Sequence, residues 1–217
     1  MNYSFDNIQQ KLQKALEHDL PGAEAQDIMS PVEASEKYRQ APDNHKVACV
    51  MALFHFKEDG ELYITYIRRA SSHPKDKHAG QIGFPGGKYE QQDGSLKTCV
   101  LREVNEELGI PLPDISVQGQ LTSLYVFASN FMVYPFVGFL DNAPRYIRQV
   151  SEVDEVIEFP VRLLLDQETK TKQKTRLSEG YSLDVPGYDL GSDFLWGATA
   201  MITSEVEVIL KRCLGVK

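Results

Sequence analysis

Three glutamates, Glu103, Glu106 and Glu107, lie close together in the sequence. On a helix, residues three and four positions apart share one face, so these carboxylates would lie side by side. Like charges at this spacing repel each other, and a helix that only faces solvent gains no stability from them. A divalent cation converts that repulsion into coordination, because hard cations prefer carboxylate oxygens. The spacing therefore predicts a metal site on this helix.

The helix that would carry these glutamates has recognisable ends. Asp93 or Ser95 can cap its first turn, Gly109 can supply a left-handed C-cap, and Pro111 prevents continuation. Its apolar positions form one stripe for burial: Leu96, Cys99, Val100, Val104 and Leu108. Without the glycines and Asp93, such a helix would more often be a solvated charged surface. The residues that precede it favour a functional site.

Positive charge and glycine are concentrated just before the helix. Residues 68–88 contain five lysine and arginine side chains but a single acidic one, and residues 80–87 contain four glycines. Basic side chains suit contacts with phosphate, and glycine lets the backbone approach a ligand closely. A solvated basic loop is the alternative interpretation. We predict substrate contacts from Arg68, Arg69, Lys77, Gly86, Gly87 and Lys88.

Composition limits the possible classes of function. The formal net charge of −8 argues against a general nucleic-acid-binding protein. The three cysteines, Cys49, Cys99 and Cys213, show no metal-ligand or disulfide spacing, which indicates a reducing, cytoplasmic setting. We expect neither a secretory signal nor a membrane span, since no basic segment followed by an apolar run and no long apolar stretch is present.

The remaining patterns predict a layered α/β domain over residues 46–217, preceded by an arm over residues 1–45. In the arm we predict an amphipathic helix over residues 4–18, ended by Pro21 and Gly22, followed by an irregular segment. The other predicted elements are a hairpin of strands 46–56 and 61–69, strands 115–126 and 131–140, an exposed strand 170–176, an extended segment 181–188, and a last amphipathic helix over residues 198–213.

The spacing of the helix and its upstream glycines resembles the Nudix box. Reading from Gly87, the pattern is Gly-x5-Asp-x8-Arg-Glu-x-x-Glu-Glu-x-Gly, with Asp93 in place of the usual first Glu and one extra residue before Arg102. The Asp and the extra residue both resemble the sequences of the coenzyme A diphosphatase branch of the superfamily. Three further segments resemble the same branch: the GQ-x-x-FPGG run from Gly80, the segment from Glu152 to Val156 and the WGATA run from Trp196. The resemblance covers roughly residues 47–213. The chain departs from the branch at residues 69–78, which leaves the substrate open.

The resemblance implies an α/β fold, a Nudix-type α/β/α sandwich with a mixed β-sheet between helices. It also implies hydrolysis of coenzyme A or acyl-CoA to 4′-phosphopantetheine and adenosine 3′,5′-bisphosphate. Two alternatives stay open: hydrolysis of another nucleoside diphosphate derivative such as ADP-ribose, and nucleotide sensing without catalysis. The expected partner is a small-molecule nucleoside diphosphate, with no nucleic acid and no membrane, and a homodimer is possible.

The resemblance also assigns roles to residues. Glu103, Glu106 and Glu107 would hold Mg²⁺ or Mn²⁺, and Arg102 would orient them while paired with Asp93 or Glu90. The general base is open: Glu106 and Glu107 are candidates within the box, and Glu152 or Glu155 could reach in from a later acidic loop.

Overall fold

The computed structural model describes residues 4–18, 20–31, 40–70, 79–176 and 182–216. Its helices are α1 (Ile8–Leu16), α2 (Gly22–Asp27), α3 (Leu96–Leu108), α4 (Val161–Leu164) and α5 (Gly197–Leu214). Its strands are β1 (Lys46–Phe56), β2 (Leu62–Arg69), β3 (Ile82–Gly83), β4 (Gly86–Lys88), β5 (Ile115–Gln120), β6 (Leu124–Val126), β7 (Phe131–Leu140), β8 (Val153–Pro160), β9 (Lys170–Arg176), β10 (Ser182–Asp189) and β11 (Phe194–Trp196).

The strands form one large and one small sheet. The large sheet has the order β3-β2-β1-β7-β5, with β4 beside β1, β6 beside β7 and β8 beside β2. β1 runs parallel to β7 and antiparallel to β2 and β4, so this sheet is mixed. The small sheet has the order β11-β10-β9.

Helices cover both faces of the large sheet. Successive side chains of a strand point to opposite faces, so the neighbours Leu53 and Phe54 of β1 enter two different hydrophobic clusters. Leu53 packs with the apolar stripe of α3, whereas Phe54 packs with residues of α1 and α5. The chain is therefore an α/β/α sandwich with a mixed sheet, which confirms the predicted fold class.

The helix of the three glutamates has the predicted ends. The backbone N–H of Thr98 donates to the side-chain oxygen of Ser95 at 3.1 Å, which makes Ser95 the N-cap of α3. Gly109 ends the helix with a φ of +68°, a left-handed conformation that favours glycine. The stripe from Cys99 to Leu108 is buried as expected.

The last helix is more deeply buried than the predicted amphipathic pattern implies. In addition to its apolar stripe, α5 buries four polar residues, namely Thr203, Ser204, Glu205 and Glu207. The reason is that α1, α2 and two strands of the small sheet, β10 and β11, all contact α5. Among the described residues, no helix combines the length and apolar character needed to cross a membrane.

Three local predictions are wrong. The first helix ends at Leu16, and Pro21 and Gly22 begin α2 instead of ending α1. The segment after Gly22 is therefore not wholly irregular, because α2 is stabilised by packing against α5, a contact that local sequence does not reveal. Residues 115–126 form two strands, β5 and β6, with a break between them.

Candidate active site

The glycines of β4 bring the backbone into contact with the carboxylates of α3. The N–H of Gly86 donates to the Oε2 of Glu107 at 2.7 Å. Gly86 has a φ of +145°, and a Cβ there would lie 2.6 Å from the Cα of Val50 in β1. A Cβ on Gly87 would lie 2.5 Å from the Cδ of Glu103. Only glycine fits at Gly86, because the atoms it approaches belong to the backbone of β1, whereas a side chain at Gly87 would have to displace the carboxylate of Glu103.

Arg102 connects the start of the box to the glutamates. Its Nε and Nη2 donate to the two carboxylate oxygens of Asp93 at 2.7 and 3.1 Å. Its Nη1 lies 2.9 Å from Glu103 and 2.8 Å from Glu106. The Asp93 side chain is 1% exposed, and the bond from Arg102 is the main reason that the pKa of this carboxyl falls to about 2. Of the two predicted partners, the structure therefore selects Asp93.

The sequence left Glu90 open as a partner of Arg102, but in the structure Glu90 has a different role. It begins a short 3-10 helix, residues 91–93, and its N–H donates to Asp93 Oδ2 at 2.8 Å. Its carboxylate accepts from Gln92 at 2.6 Å. Glu90 thus fixes the turn that presents Asp93 to Arg102, which makes it a support for the ion pair rather than a member of it.

Glu107 is the most deeply buried of the three glutamates, with 2% of its surface exposed. Burial is the main cause that raises its pKa to about 8, and the charges of Glu103 and Glu152 raise it further. The bond from Gly86 and the charge of Arg69 act in the opposite direction. Burial also raises the pKa of Glu103. Burial therefore disfavours the charged form of both carboxyls.

Glu152 and Glu155, the two acidic residues predicted to reach in from a later loop, lie in different surroundings. Glu155 is part of β8, where it pairs with Arg68 of β2 at 2.9 Å. Glu152 precedes that strand, and it is the charge of Glu152 that acts on both Glu103 and Glu107. Because Glu155 is held in a strand, the idea that it swings in from a loop does not match its position.

The predicted cationic contacts lie in different surroundings. Arg68 binds two carboxylates, Glu155 and Asp193, the second at 2.8 Å. Arg69 is exposed and acts on Glu107. Lys88 is exposed, and its carbonyl accepts from Arg102 at 3.3 Å. Lys77 lies outside the described residues. Their roles in substrate binding stay predictions.

Sequence analysis missed the acidic partner of Arg68. Asp193 lies in the turn between β10 and β11 and is far from Arg68 along the chain, with no motif around it. Only folding places the small sheet beside β2. No spacing pattern could have indicated this contact.

The donor chemistry of the box suits Mg²⁺ or Mn²⁺, because these hard cations prefer oxygen ligands and the box supplies carboxylates, one of which is buried. In the described part of the chain, however, no three acidic, histidine or cysteine side chains converge closely enough to enclose an ion. Arg102 contacts Glu103 and Glu106, while Glu107 is bound to Gly86.

Fold and site together define an α/β/α domain with a helix-borne carboxylate site beside a glycine strand. Residues 44–178 match the family model of the NUDIX domain, and the chain belongs to this family. The family predicted from the Gly87 pattern is thereby confirmed.

Two curated relatives are similar over most of this region. The uncharacterized Nudix hydrolase NudL of Yersinia enterocolitica is 37% identical over 145 residues, which are 63% of this chain and 68% of that protein. The human mitochondrial coenzyme A diphosphatase NUDT8 is 36% identical over 138 residues, 61% of this chain and 57% of that protein. The chain therefore spans between about half and two thirds of the length of these relatives.

The fold is also shared with a solved structure. The MutT/nudix family protein from Enterococcus faecalis superposes with a TM-score of 0.50 over 97% of this chain and 73% of that one, at 19% sequence identity. At this level of identity the similarity concerns the fold alone.

Proposed function

We propose that the chain is a metal-dependent diphosphatase that hydrolyses coenzyme A or acyl-CoA to 4′-phosphopantetheine and adenosine 3′,5′-bisphosphate. One observation carries the enzymatic part: Arg102, anchored on buried Asp93, touches Glu103 and Glu106 while Gly86 holds Glu107. A surface helix that only faces solvent has no need of such an arrangement.

The residues of the site would have different roles. Glu103, Glu106 and Glu107 would hold Mg²⁺ or Mn²⁺, which when bound neutralises a diphosphate and lowers the pKa of a water molecule. Arg102 orients two of these carboxylates through its planar guanidinium and cannot itself act as a base near neutral pH. Gly86 directs Glu107 through the hydrogen bond to its Oε2.

We propose that Glu152 is the residue outside α3 that accepts a proton from water. It is exposed, so water can reach it, and its charge acts on both Glu103 and Glu107. Glu155 is engaged with Arg68 and is the weaker candidate. Glu106 and Glu107 stay alternatives within the box, to be separated by pH–rate profiles of the single variants.

The substrate part of the proposal rests on two supports. The motif series from Gly80 to Gly109 resembles the coenzyme A diphosphatase branch, and the human relative is named for that activity. Arg69 and Lys88 are exposed cations near the box that suit phosphate contacts. The cytoplasmic location and the homodimer stay predictions, and the human relative is named as mitochondrial.

Product analysis would test this proposal. The purified chain is incubated with coenzyme A, acetyl-CoA, ADP-ribose and a dinucleotide, each with Mg²⁺, with Mn²⁺ or with a chelator, and the products are identified by mass. We expect metal-dependent release of 4′-phosphopantetheine from coenzyme A at the highest kcat/KM. A higher kcat/KM for ADP-ribose would contradict the substrate.

A pair of variants separates the enzyme from a sensor. Glu106→Gln should abolish turnover while leaving ligand affinity measurable, and Glu168→Gln, at an exposed position in a 3-10 helix away from the box, should leave turnover unchanged. If the wild-type chain binds nucleotide yet shows no metal-stimulated turnover of any diphosphate, the sensor function replaces the enzymatic one.

A further inference from the structure

The end of the box helix is held by a short segment of the connection between β7 and β8, which we call the strap and define as residues 146–152. The N–H of Ile147 donates to the carbonyl of Leu108 at 2.8 Å, and the N–H of Gln149 donates to the carbonyl of Glu107 at 2.9 Å. The last carbonyls of a helix have no partner within the helix. The strap supplies partners for two of them, and one belongs to a box glutamate.

The contact between the strap and the helix is close. A Cβ on Gly109 would lie 2.7 Å from the Cβ of Ile147 and 2.8 Å from its carbonyl oxygen. Gly109 is therefore required both for its left-handed conformation and for the approach of the strap. A displacement of the strap would be transmitted to the last turn of α3 because no space separates them.

The far end of the strap leads to the proposed base. The N–H groups of Glu152 and Val153 donate to the carbonyl of Gln149 at 2.9 and 2.8 Å, which forms a tight turn. The carbonyl of Glu152 accepts from the N–H of Ala70 at 2.8 Å, which attaches this end to the chain that follows β2. One segment thus connects Glu107, through its carbonyl, with Glu152.

A single tyrosine attaches the near end of the strap to the sheet. The hydroxyl of Tyr146 lies 3.0 Å from the hydroxyl of Thr65 on β2 and donates to the carboxylate of Glu158 on β8 at 3.3 Å. Glu158 is fixed in turn by His55 at 2.7 Å and Lys57 at 2.8 Å. The ring of Tyr146 packs against the core cluster that contains the α3 stripe.

We propose that Tyr146 is a positioning residue for the hydrolytic site: through the strap, its hydroxyl sets the last turn of α3 with Glu107 and the placement of Glu152. This inference rests on the proposed function and adds to it a residue whose hydroxyl binds Thr65 and Glu158, outside the box. A displacement of reacting groups by about 1 Å can cost about 100-fold in rate, so a loosened strap should act on kcat.

The test compares two tyrosines that each bond a carboxylate. Tyr146→Phe removes the strap anchor. The control, Tyr188→Phe, removes a buried hydroxyl that donates to Glu207 at 2.7 Å, in the cluster on the other side of the large sheet. For both full-length variants, kcat and KM for coenzyme A, the thermal unfolding midpoint and the amide hydrogen exchange of Ile147 and Gln149 are measured.

We expect Tyr146→Phe to lower kcat about 10-fold with KM changed less than about 2-fold, and to accelerate exchange at Ile147 and Gln149. Tyr188→Phe should lower the unfolding midpoint at least as much while leaving kcat and the exchange of these two amides unchanged. Thr65→Val removes one of the two hydrogen-bond partners of the Tyr146 hydroxyl. It should lower kcat and accelerate exchange as Tyr146→Phe does, but to a smaller extent. Equal kcat values for the two tyrosine variants would overturn the proposal.

The design also distinguishes this inference from the proposed function. If the wild-type chain hydrolyses no diphosphate, the proposed function fails. Hydrogen exchange then still tests whether the strap anchors the end of α3. Faster exchange at Ile147 and Gln149 in Tyr146→Phe, with Tyr188→Phe unchanged, would support the anchoring of the helix end. Unchanged exchange in Tyr146→Phe would overturn it.

Discussion

The guanidinium of Arg102 binds the buried carboxylate of Asp93, with Nε 2.7 Å from Oδ1 and Nη2 3.1 Å from Oδ2. This two-point contact leaves Nη1 directed at Glu103 and Glu106. The orientation of the box glutamates therefore depends on an acidic residue in the turn before the helix.

Asp93→Asn should lower the free energy of unfolding by about 2 to 4 kcal/mol, because it leaves Arg102 without its buried partner. Arg102→Lys should cost less stability but reduce kcat at least about 10-fold, since an ammonium cannot bind both oxygens of Asp93 and still reach Glu106. Urea unfolding and steady-state kinetics would measure both effects. Arg162→Lys is the control: its pair with Glu61 is half-exposed, and such a pair contributes about 0 to 1 kcal/mol.

Gly87→Ala should inactivate the chain while preserving its fold. The new Cβ would meet the end of the Glu103 side chain, which can rotate away but then leaves its place beside Arg102. Gly83→Ala is the matched control, because a Cβ there has no neighbour within 4 Å among the described residues and its φ is not positive. Kinetics and circular dichroism of both variants provide the measurement; comparable activities would contradict the role of Gly87.

Glu158 should make stability depend on pH in a defined window. The hydrogen bond from His55 is the main cause that lowers its pKa to about 2 from an ordinary value of 4.5, with Lys57 contributing and burial opposing. Because the folded-state pKa is the lower one, this stabilisation is present above pH 4.5 and is lost as the pH falls toward 2.

The difference in free energy of unfolding between wild type and Glu158→Gln should therefore shrink as the pH is lowered from 5 to 2. Guanidinium unfolding at several pH values would follow this difference. Glu168→Gln, at an exposed position, should give a curve parallel to that of the wild type over the same range. Parallel curves for Glu158→Gln would exclude its pKa as a source of pH dependence.

Glu205 should attach the N-terminal arm to the domain. This fully buried carboxylate accepts hydrogen bonds from the N–H of Gly22 at 3.2 Å, the hydroxyl of Thr122 at 2.6 Å and the amide of Gln26 at 3.0 Å. Glu205→Gln replaces one acceptor with a donor and should cost about 2 to 3 kcal/mol.

The same change should expose the arm to proteolysis. Limited digestion should cut Glu205→Gln near α2 sooner than the wild type, because the helix loses its attachment to α5. Glu24→Gln, at an exposed position on α2, serves as the control. If digestion proceeds equally in all three proteins, Glu205 does not hold the arm.

Elements with strong local signals were predictable from the sequence. The spacing of Glu103, Glu106 and Glu107, the Ser95 cap and the Gly109 terminus depend on the helical repeat and on local backbone chemistry. The hairpin of β1 and β2 follows from two apolar runs joined by a turn. Helix α2 was missed because six residues have little helical stability of their own and depend on Gln26 reaching Glu205.

Sequence alone therefore determined the α/β/α fold, the NUDIX family and the glutamates of the box. Tertiary structure decided which side chains meet: Arg102 with Asp93, Arg68 with Asp193 and Glu155, and Tyr146 with Glu158. The physical reason is that a periodic pattern determines which face of an element a side chain occupies, whereas an ion pair or a hydrogen bond requires distances that arise only when distant elements pack together.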